Sequence, residues 1–313
     1  MARFDPIDLG AGRMLLDLGF RDHDGLIASY LVPGSAGWTL VETGPTTCRD
    51  RLLAGLGRAG VAPDEVVRVI VSHIHLDHAG GLGALADSLP NARLVAHERG
   101  VRHLVDPTRL VASARRAWGT AADPLWGPIV PVPADRIDAV RGGETYAVAG
   151  GSIHVVATPG HASHHVSLFD EATRSMMTGD AAGVHVAGLW RTRPAIPPPD
   201  LDLAQLYASL DAMIALEPRS IWFAHFGPVD GATAELRSYR ATVEEWAEVA
   251  RAPARSGRSV AEVAAVLAEH ERERALAAGR PVPSEERGGL ISGFELAAQG
   301  LLRYFETHPE PGG

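Results

Sequence analysis

Three histidines and one aspartate fall within six residues, in the stretch His73-Ile74-His75-Leu76-Asp77-His78. A mostly apolar run, Val66 to Val71, precedes them, and Gly80-Gly81 follows. Imidazole and carboxylate are the groups that a borderline cation such as zinc takes as ligands. An apolar run that stops at such residues and turns at glycines reads as a buried strand, a ligand-bearing loop and a helix start. The chain must therefore fold so that further donors reach one strand end.

Composition narrows the field. The 313 residues are 46% hydrophobic and 21% charged, enough for a sizeable core. One large domain with an appendage fits better than two equal domains. The net charge of -9 weighs against nucleic acid or an anionic membrane as partner and leaves a small-molecule substrate. All 29 Lys/Arg positions are Arg. That excludes a P-loop lysine, a Schiff base and a Ser-x-x-Lys site. There is no Gly-x-Ser-x-Gly elbow either. The single cysteine, Cys48, excludes an intrachain disulfide and reads as a buried thiol near a helix start. Met1-Ala2-Arg3-Phe4-Asp5-Pro6 lacks the regions of a signal peptide, and no apolar run approaches the ~18 residues that span a bilayer. A cytoplasmic protein is expected.

Taken in order, Met14 to Leu18, Leu26 to Val32 and Trp38 to Val41 read as strands separated by glycine turns. A helix is expected from Thr46 to Ala59, a strand from Val67 to Ser72, a helix from Gly81 to Ser88 and a strand from Arg93 to Ala96. Residues 99–136 read as an irregular insertion with one short helix, Leu110 to Trp118, of the kind that lines or covers a site. Strands return at Thr145 to Val148, Ser152 to Ala157, Val166 to Asp170 and Ser175 to Thr178. A helix from Leu201 to Leu216, with Asp200 as cap, and a strand from Ile221 to Ala224 follow. Beyond Gly227-Pro228 the pattern is wholly helical: Thr233 to Arg251, Ser259 to Ala278 and Gly289 to Phe305. Two β-rich blocks, each followed by helices, predict a mixed α/β sandwich with helices outside. The boundaries are 1–232 for a catalytic domain and 233–313 for a helical C-terminal extension.

The later strands also end in candidate ligands. One runs into Thr158-Pro159-Gly160-His161, another into Thr178-Gly179-Asp180, and the last into Ala224-His225-Phe226-Gly227. Together with His73-x-His75-x-Asp77-His78, these segments resemble the motif set of the metallo-β-lactamase superfamily, in the flavour of its glyoxalase II-like branch. The resemblance spans roughly residues 10 to 245. It implies an αββα sandwich. It also implies that His73, His75 and His161 bind one metal, Asp77, His78 and His225 a second, and that Asp180 bridges them. Two divalent ions follow, zinc first, with iron or manganese able to take the same ligands. The implied reaction is hydrolysis of an ester-type bond, a thioester or lactone, by a hydroxide shared between the metals. Asp77 would in addition orient the nucleophile and relay a proton.

Where the family usually has Asp-Thr-Gly, this chain has Glu42-Thr43-Gly44, which puts Glu42 in a supporting role. His165 is expected to brace the site rather than bind metal. His185, Trp190, Arg191 and Arg193 follow Asp180 in a loop where substrate walls form, and the guanidiniums could grip a carboxylate or phosphate. In glyoxalase II-like enzymes a helical tail helps bind glutathione; here the basic cluster for that is not evident. The tail's apolar residues Ile291, Phe294, Leu296, Leu301, Leu302 and Phe305 are expected to pack on the core, a homodimer contact or a cover for the site being their other uses. Two alternatives stand beside the hydrolase: a mononuclear iron oxidoreductase resembling persulfide dioxygenases, and a metal-stabilised binding module without turnover.

Overall fold

The computed structural model describes residues 4–309. Its first sheet has seven strands side by side in chain order: β1 (Ile7–Gly10), β2 (Arg13–Asp17), β3 (Ala28–Gly34), β4 (Gly37–Val41), β5 (Val66–Ile70), β6 (Arg93–His97) and β7 (Ile137–Val140). The first four pair antiparallel; β4 to β7 are parallel. The second sheet has six: β8 (Thr145–Val148), β9 (Gly151–Ala157), β10 (Val166–Asp170), β11 (Ser175–Gly179), β12 (Ser220–Phe223) and β13 (Gly227–Asp230), in the order β13-β12-β11-β10-β9-β8. Only β11 and β12 run parallel there.

Strand periodicity divides the apolar residues between two layers. Leu16, Leu31, Leu40, Val69 and Leu94 pack outward with helix α1 (Arg49–Arg58) and the helices that follow β5. Their neighbours Leu15, Tyr30, Val41, Ile70 and Val95 face the other sheet. In β12, Ile221 and Phe223 turn outward and Trp222 turns inward. Each such fully buried aliphatic contributes about 1.5–3 kcal/mol relative to exposure. Tyr30 and Trp222 stack across the sheets with centroids 5.3 Å apart, and the Tyr30 hydroxyl donates to the Phe223 carbonyl at 2.6 Å. The architecture is thus the helix–sheet–sheet–helix sandwich expected from the two β-rich blocks.

The remaining helices are α2 (Leu76–Ala79), α3 (Leu82–Ala86), α4 (Glu98–Val105), α5 (Thr108–Trp118), α6 (Ala122–Trp126), α7 (Leu203–Ala215), α8 (Ala232–Arg255), α9 (Val260–Ala277), α10 (Glu285–Ile291) and α11 (Phe294–Thr307). Several expectations need correction. Residues 99–136 are mostly helical, because α4, α5 and α6 follow one another with only short breaks at Asp106-Pro107 and Gly119. The chain is not wholly helical after Gly227: β13 pairs with β12 first, its Pro228 sitting on the sheet edge where a missing N–H costs nothing. Asp202, not Asp200, caps α7 by accepting from the Gln205 N–H at 2.9 Å. The last expected helix breaks at Ser292-Gly293 into α10 and α11.

The 232/233 division falls at the start of α8, and its outer ends, residues 1–3 and 310–313, lie outside the described residues. So do Met1 to Arg3 of the N-terminal stretch read for a signal peptide. Among the described residues no helix is long and apolar enough to cross a membrane.

Candidate metal centre

Strands from both sheets end at one place. His73 lies just past β5, His161 past β9, Asp180 directly after β11 and His225 two residues past β12. His75 precedes the single turn α2, which carries Asp77 and His78. Gly179 makes the approach possible. It holds φ of 51°, and a Cβ there would stand 2.5 Å from Ser72 Oγ and 2.6 Å from His165 Nε2. Gly160 is as confined: its φ is 134°, and a Cβ would meet the Leu206 backbone at 2.4 Å.

The donors form two groups, His73, His75, His161 and Asp180 in one, and Asp77, His78 and His225 in the other. In the first, His73 Nε2 is 2.8 Å from His75 Nδ1, and His161 Nε2 is 3.2 and 3.0 Å from these two atoms. Asp180 Oδ2 stands 3.5 Å from His161 Nε2. In the second, His225 Nε2 is 3.2 Å from His78 Nε2 and 3.5 Å from Asp77 Oδ2. Asp180 Oδ1 stands 3.3 Å from His78 Nε2 and 3.5 Å from His225 Nε2. Zinc ligands held at about 2.0–2.1 Å lie about 3.3 Å from one another at tetrahedral angles. The donor spacings on this chain match that edge.

The outward-facing nitrogens set the tautomers. His161 Nδ1 donates to the Ala195 carbonyl at 2.8 Å, and His225 Nδ1 to the Leu26 carbonyl at 2.7 Å. A carbonyl only accepts, so each Nδ1 carries the hydrogen, and in the neutral imidazole Nε2 turns its lone pair inward. His78 Nδ1 lies 3.4 Å from Glu42 Oε1, which also accepts the Ser72 N–H at 3.3 Å. Glu42 does this from a left-handed backbone, φ 66°. Converging lone pairs repel unless a cation lies between them. Asp180 Oδ1 is moreover buried without a hydrogen-bond donor, which a native interior rarely tolerates. The residues present fit bound divalent metal.

Charge tells the same story. Burial, with the fields of the neighbouring imidazoles, pushes His73 well below the usual histidine range and His75 down to about 3. Burial opposes charge on Asp77 too, yet His78 and His225 hold its carboxyl down to about 2. Against the same desolvation, Asp180, Glu42 and Asp77 drive His78 well above its ordinary value. The carboxylates draw positive charge into the pocket, which the imidazoles meet by taking protons and a bound cation would meet instead. His165 is placed to brace: its Nε2 accepts the Asp180 N–H at 3.1 Å, and its Nδ1 meets Thr158 Oγ1 at 2.8 Å.

Beside the donors lies a cavity of about 200 Å³ that reaches His75, Asp77, His161 and Asp180. Its other walls are α5, Trp126, the Ala195–Pro199 turn, and Leu290, Ile291, Leu296 and Ala297 of the C-terminal helices. The tail therefore both packs on the core, through Ala298 and Leu301, and covers the site, through Ile291 and Leu296. His185, Trp190, Arg191 and Arg193 are not among the cavity's lining residues. Arg191 forks onto the buried Glu271 and reaches Glu245, Trp190 donates to Glu271, and Arg193 pairs with Glu285. His185 Nδ1 meets Thr192 Oγ1 at 2.9 Å. These four side chains tie the loop to its surroundings. The short helix expected at Leu110 to Trp118, in an insertion read as lining or covering a site, is α5, whose Leu110, Ser113, Ala114, Ala117 and Trp118, at i, i+3, i+4, i+7 and i+8, line the cavity.

Comparison with known proteins matches residues 24–225 to the family model of the metallo-beta-lactamase superfamily. The chain is 29% identical over 171 residues to a metallo-beta-lactamase fold-containing protein of Sulfurisphaera tokodaii, covering 53% of this chain and 62% of that one. It is 29% identical over 178 residues to an N-acyl homoserine lactonase of Bacillus thuringiensis, covering 55% and 60%. The matched region thus spans about three fifths of the length of these relatives. The fold is similar to that of a metallo-beta-lactamase family protein from Thermus thermophilus, with TM-score 0.67 at 22% identity over 90% of this chain and 88% of that one.

Proposed function

The chain belongs to the metallo-beta-lactamase superfamily, and from that premise we propose that it is a dinuclear metal-dependent hydrolase of an ester-type bond, a thioester or lactone. The observation that carries this is Asp180, whose two carboxylate oxygens turn to different donor groups, Oδ2 to His161 and Oδ1 to His78 and His225. His73, His75 and His161 would hold one ion, Asp77, His78 and His225 the other, and Asp180 both. Zinc suits this mixture of imidazole and carboxylate, with iron or manganese as substitutes. When bound, a divalent pair lowers the pKa of water and polarises the attacked carbonyl.

The chain's own residues supply the rest. Asp77 lines the cavity, and its carboxylate, ionised at neutral pH, orients the attacking water by accepting a hydrogen bond and takes up its proton. Asp180 offsets part of the paired positive charge. Glu42 and the Ala195 and Leu26 carbonyls fix the imidazole rings from behind. The apolar walls exclude bulk water. The lactonase among the relatives supports an ester-type bond, and His73-x-His75, in place of His-x-Glu, speaks against the redox di-iron branch. A mononuclear oxidoreductase would leave Asp77, His78 and His225 without a use. We take the enzyme to act on a small molecule in the cytoplasm, with residues 1–232 as its catalytic domain and 233–313 as the extension that completes the cavity.

The test is a screen of metal-loaded protein against a thioester, a lactone, a phosphodiester and a β-lactam, with Asp77→Ala as control. Turnover of the thioester or lactone that collapses in Asp77→Ala is the expected result. Turnover that survives in the control rules the mechanism out.

A further inference from the structure

The mouth of the site has two unlike sides. The cavity that holds Asp77 and Asp180 contains no arginine, and its walls away from the metal ligands are aliphatic residues, prolines, Trp118, Trp126 and two serines. Next to it runs a wider groove of about 760 Å³ lined by Arg99, Arg102, Arg109 and Arg116. Cavity and groove share Ile74, His75, Leu110, Ser113 and Pro199, so they meet at the metal donors. Helix α5 builds both. Ala114, Ala117 and Trp118 face the cavity, while Arg109 and Arg116, seven residues apart and so on one side of the helix, face the groove.

The groove's positive charge exceeds what its own carboxylates and the neighbouring Asp106 offset. Of its two acidic residues, Glu98 is paired with Arg141 at 2.6 Å, and Asp200, which accepts the Ser163 hydroxyl at 2.8 Å, keeps its charge, so four arginines face one unpaired carboxylate. Arg109 and Arg116 have no ion-pair partner among the described residues. Arg102 leans on neutral His103, its Nε 3.0 Å from Nε2, and Arg99 reaches the Ser163 carbonyl at 3.3 Å. All four arginines are exposed. On a chain of net charge -9, this is a concentrated positive field at the entrance to the site. A single exposed ion pair contributes little, so four spaced guanidiniums favour a ligand that carries several negative charges.

We propose that the substrate is an acyl thioester with an uncharged hydrocarbon acyl half, seated in the cavity, and a phosphorylated carrier as its leaving half, held in the groove by Arg102, Arg109 and Arg116. This rests on the hydrolytic reading above. The oxygen of water bonds to the acyl carbon, the carbon–sulfur bond breaks, and the products are a carboxylic acid and the free thiol, which takes a proton from the water. The carrier's charge thus sits outside, on the arginines, and the acyl chain inside, against Trp118 and Ile291.

The experiment compares metal-loaded enzyme on decanoyl-coenzyme A and on decanoyl-N-acetylcysteamine, which has the same acyl group and no phosphate. The coenzyme A ester should have a kcat/KM about tenfold or more higher at low salt, an advantage that shrinks at about 0.5 M salt and falls in Arg109→Ala/Arg116→Ala through KM. Equal or better turnover of the neutral thioester, with a ratio unmoved by the variant, overturns the proposal. Turnover of a lactone with neither thioester cleaved overturns it too, while sparing the hydrolase assignment. If nothing is turned over, that assignment falls, and titration of the metal-loaded protein with coenzyme A, followed by tryptophan fluorescence, decides the groove. Saturable, salt-sensitive quenching supports it, and no binding refutes it.

Discussion

His165 Nε2 accepts the backbone N–H of Asp180 at 3.1 Å. The residue whose carboxylate faces both donor groups is thus held by its main chain from a neighbouring imidazole. His165 is buried, and the Asp180 N–H fixes its tautomer, so that Nδ1–H donates to Thr158 Oγ1 on the other side. Replacing His165 with alanine should weaken metal binding by about 10–100-fold, the usual cost of losing an outer support. Chelator competition checks this. His165→Gln, whose amide oxygen can accept the same N–H, should recover part of the loss.

Arg13 and Asp170 join the two sheets through a buried ion pair at 2.9 Å, with Arg13 also donating to the Ala11 and Ala149 carbonyls at 2.7 Å each. Asp170→Ala leaves the guanidinium buried and uncompensated. Urea unfolding should show a loss of about 3–5 kcal/mol, the cost of removing one member of a buried pair. Removing the exposed partner Asp50, paired with Arg49 at 2.8 Å, should cost about 0–1 kcal/mol at most.

Burial pushes the Cys48 thiol up to about 12. Reactivity follows the thiolate fraction, so at pH 8 the folded protein should resist a thiol reagent. The denatured chain should release its one thiol per molecule at once. Fast labelling of the native protein would mean that the α1 region opens readily.

Glu271 gathers Arg191, Trp190 and Trp246 beneath the loop that follows Asp180. Glu271→Ala should destabilise the fold by about 1.5–3 kcal/mol through lost bonds to a charged group. Limited proteolysis should then cut within residues 185–193. An unchanged pattern would show that Arg193, through Glu285, holds the loop alone.

These arginines mark where sequence stopped being informative. A guanidinium near a site can grip a substrate or an internal glutamate, and only the position of Glu245, Glu271 and Glu285 from a distant helical tail decides between them. The strands were readable because period-two burial leaves its trace in local sequence, as in Leu15-Leu16 or Met176-Met177. Strands β1, β7 and β13 left weaker traces, since β1 has no buried residue and β7 and β13 have one each. Residues 99–136 were misjudged from their Pro and Gly content. Pro107 and Gly119 sit at the breaks between helices and Pro124 in the first turn of α6, where a missing N–H is tolerated, while α5 carries an apolar stripe on a cavity whose other wall, the C-terminal tail, arrives over 150 residues later. The split of the His73–His78 stretch between two donor groups rests on a comparable long-range meeting with His161, Asp180 and His225.

The most direct measurement is metal content per chain after reconstitution with zinc and removal of free ion, for the native protein, Asp77→Ala and Asp180→Asn. A bridging Asp180 predicts two ions bound by the native chain, one retained by Asp77→Ala, and weakened binding of both in Asp180→Asn. A native chain that saturates at a single ion, with Asp77→Ala indistinguishable from it, would contradict the two-metal account.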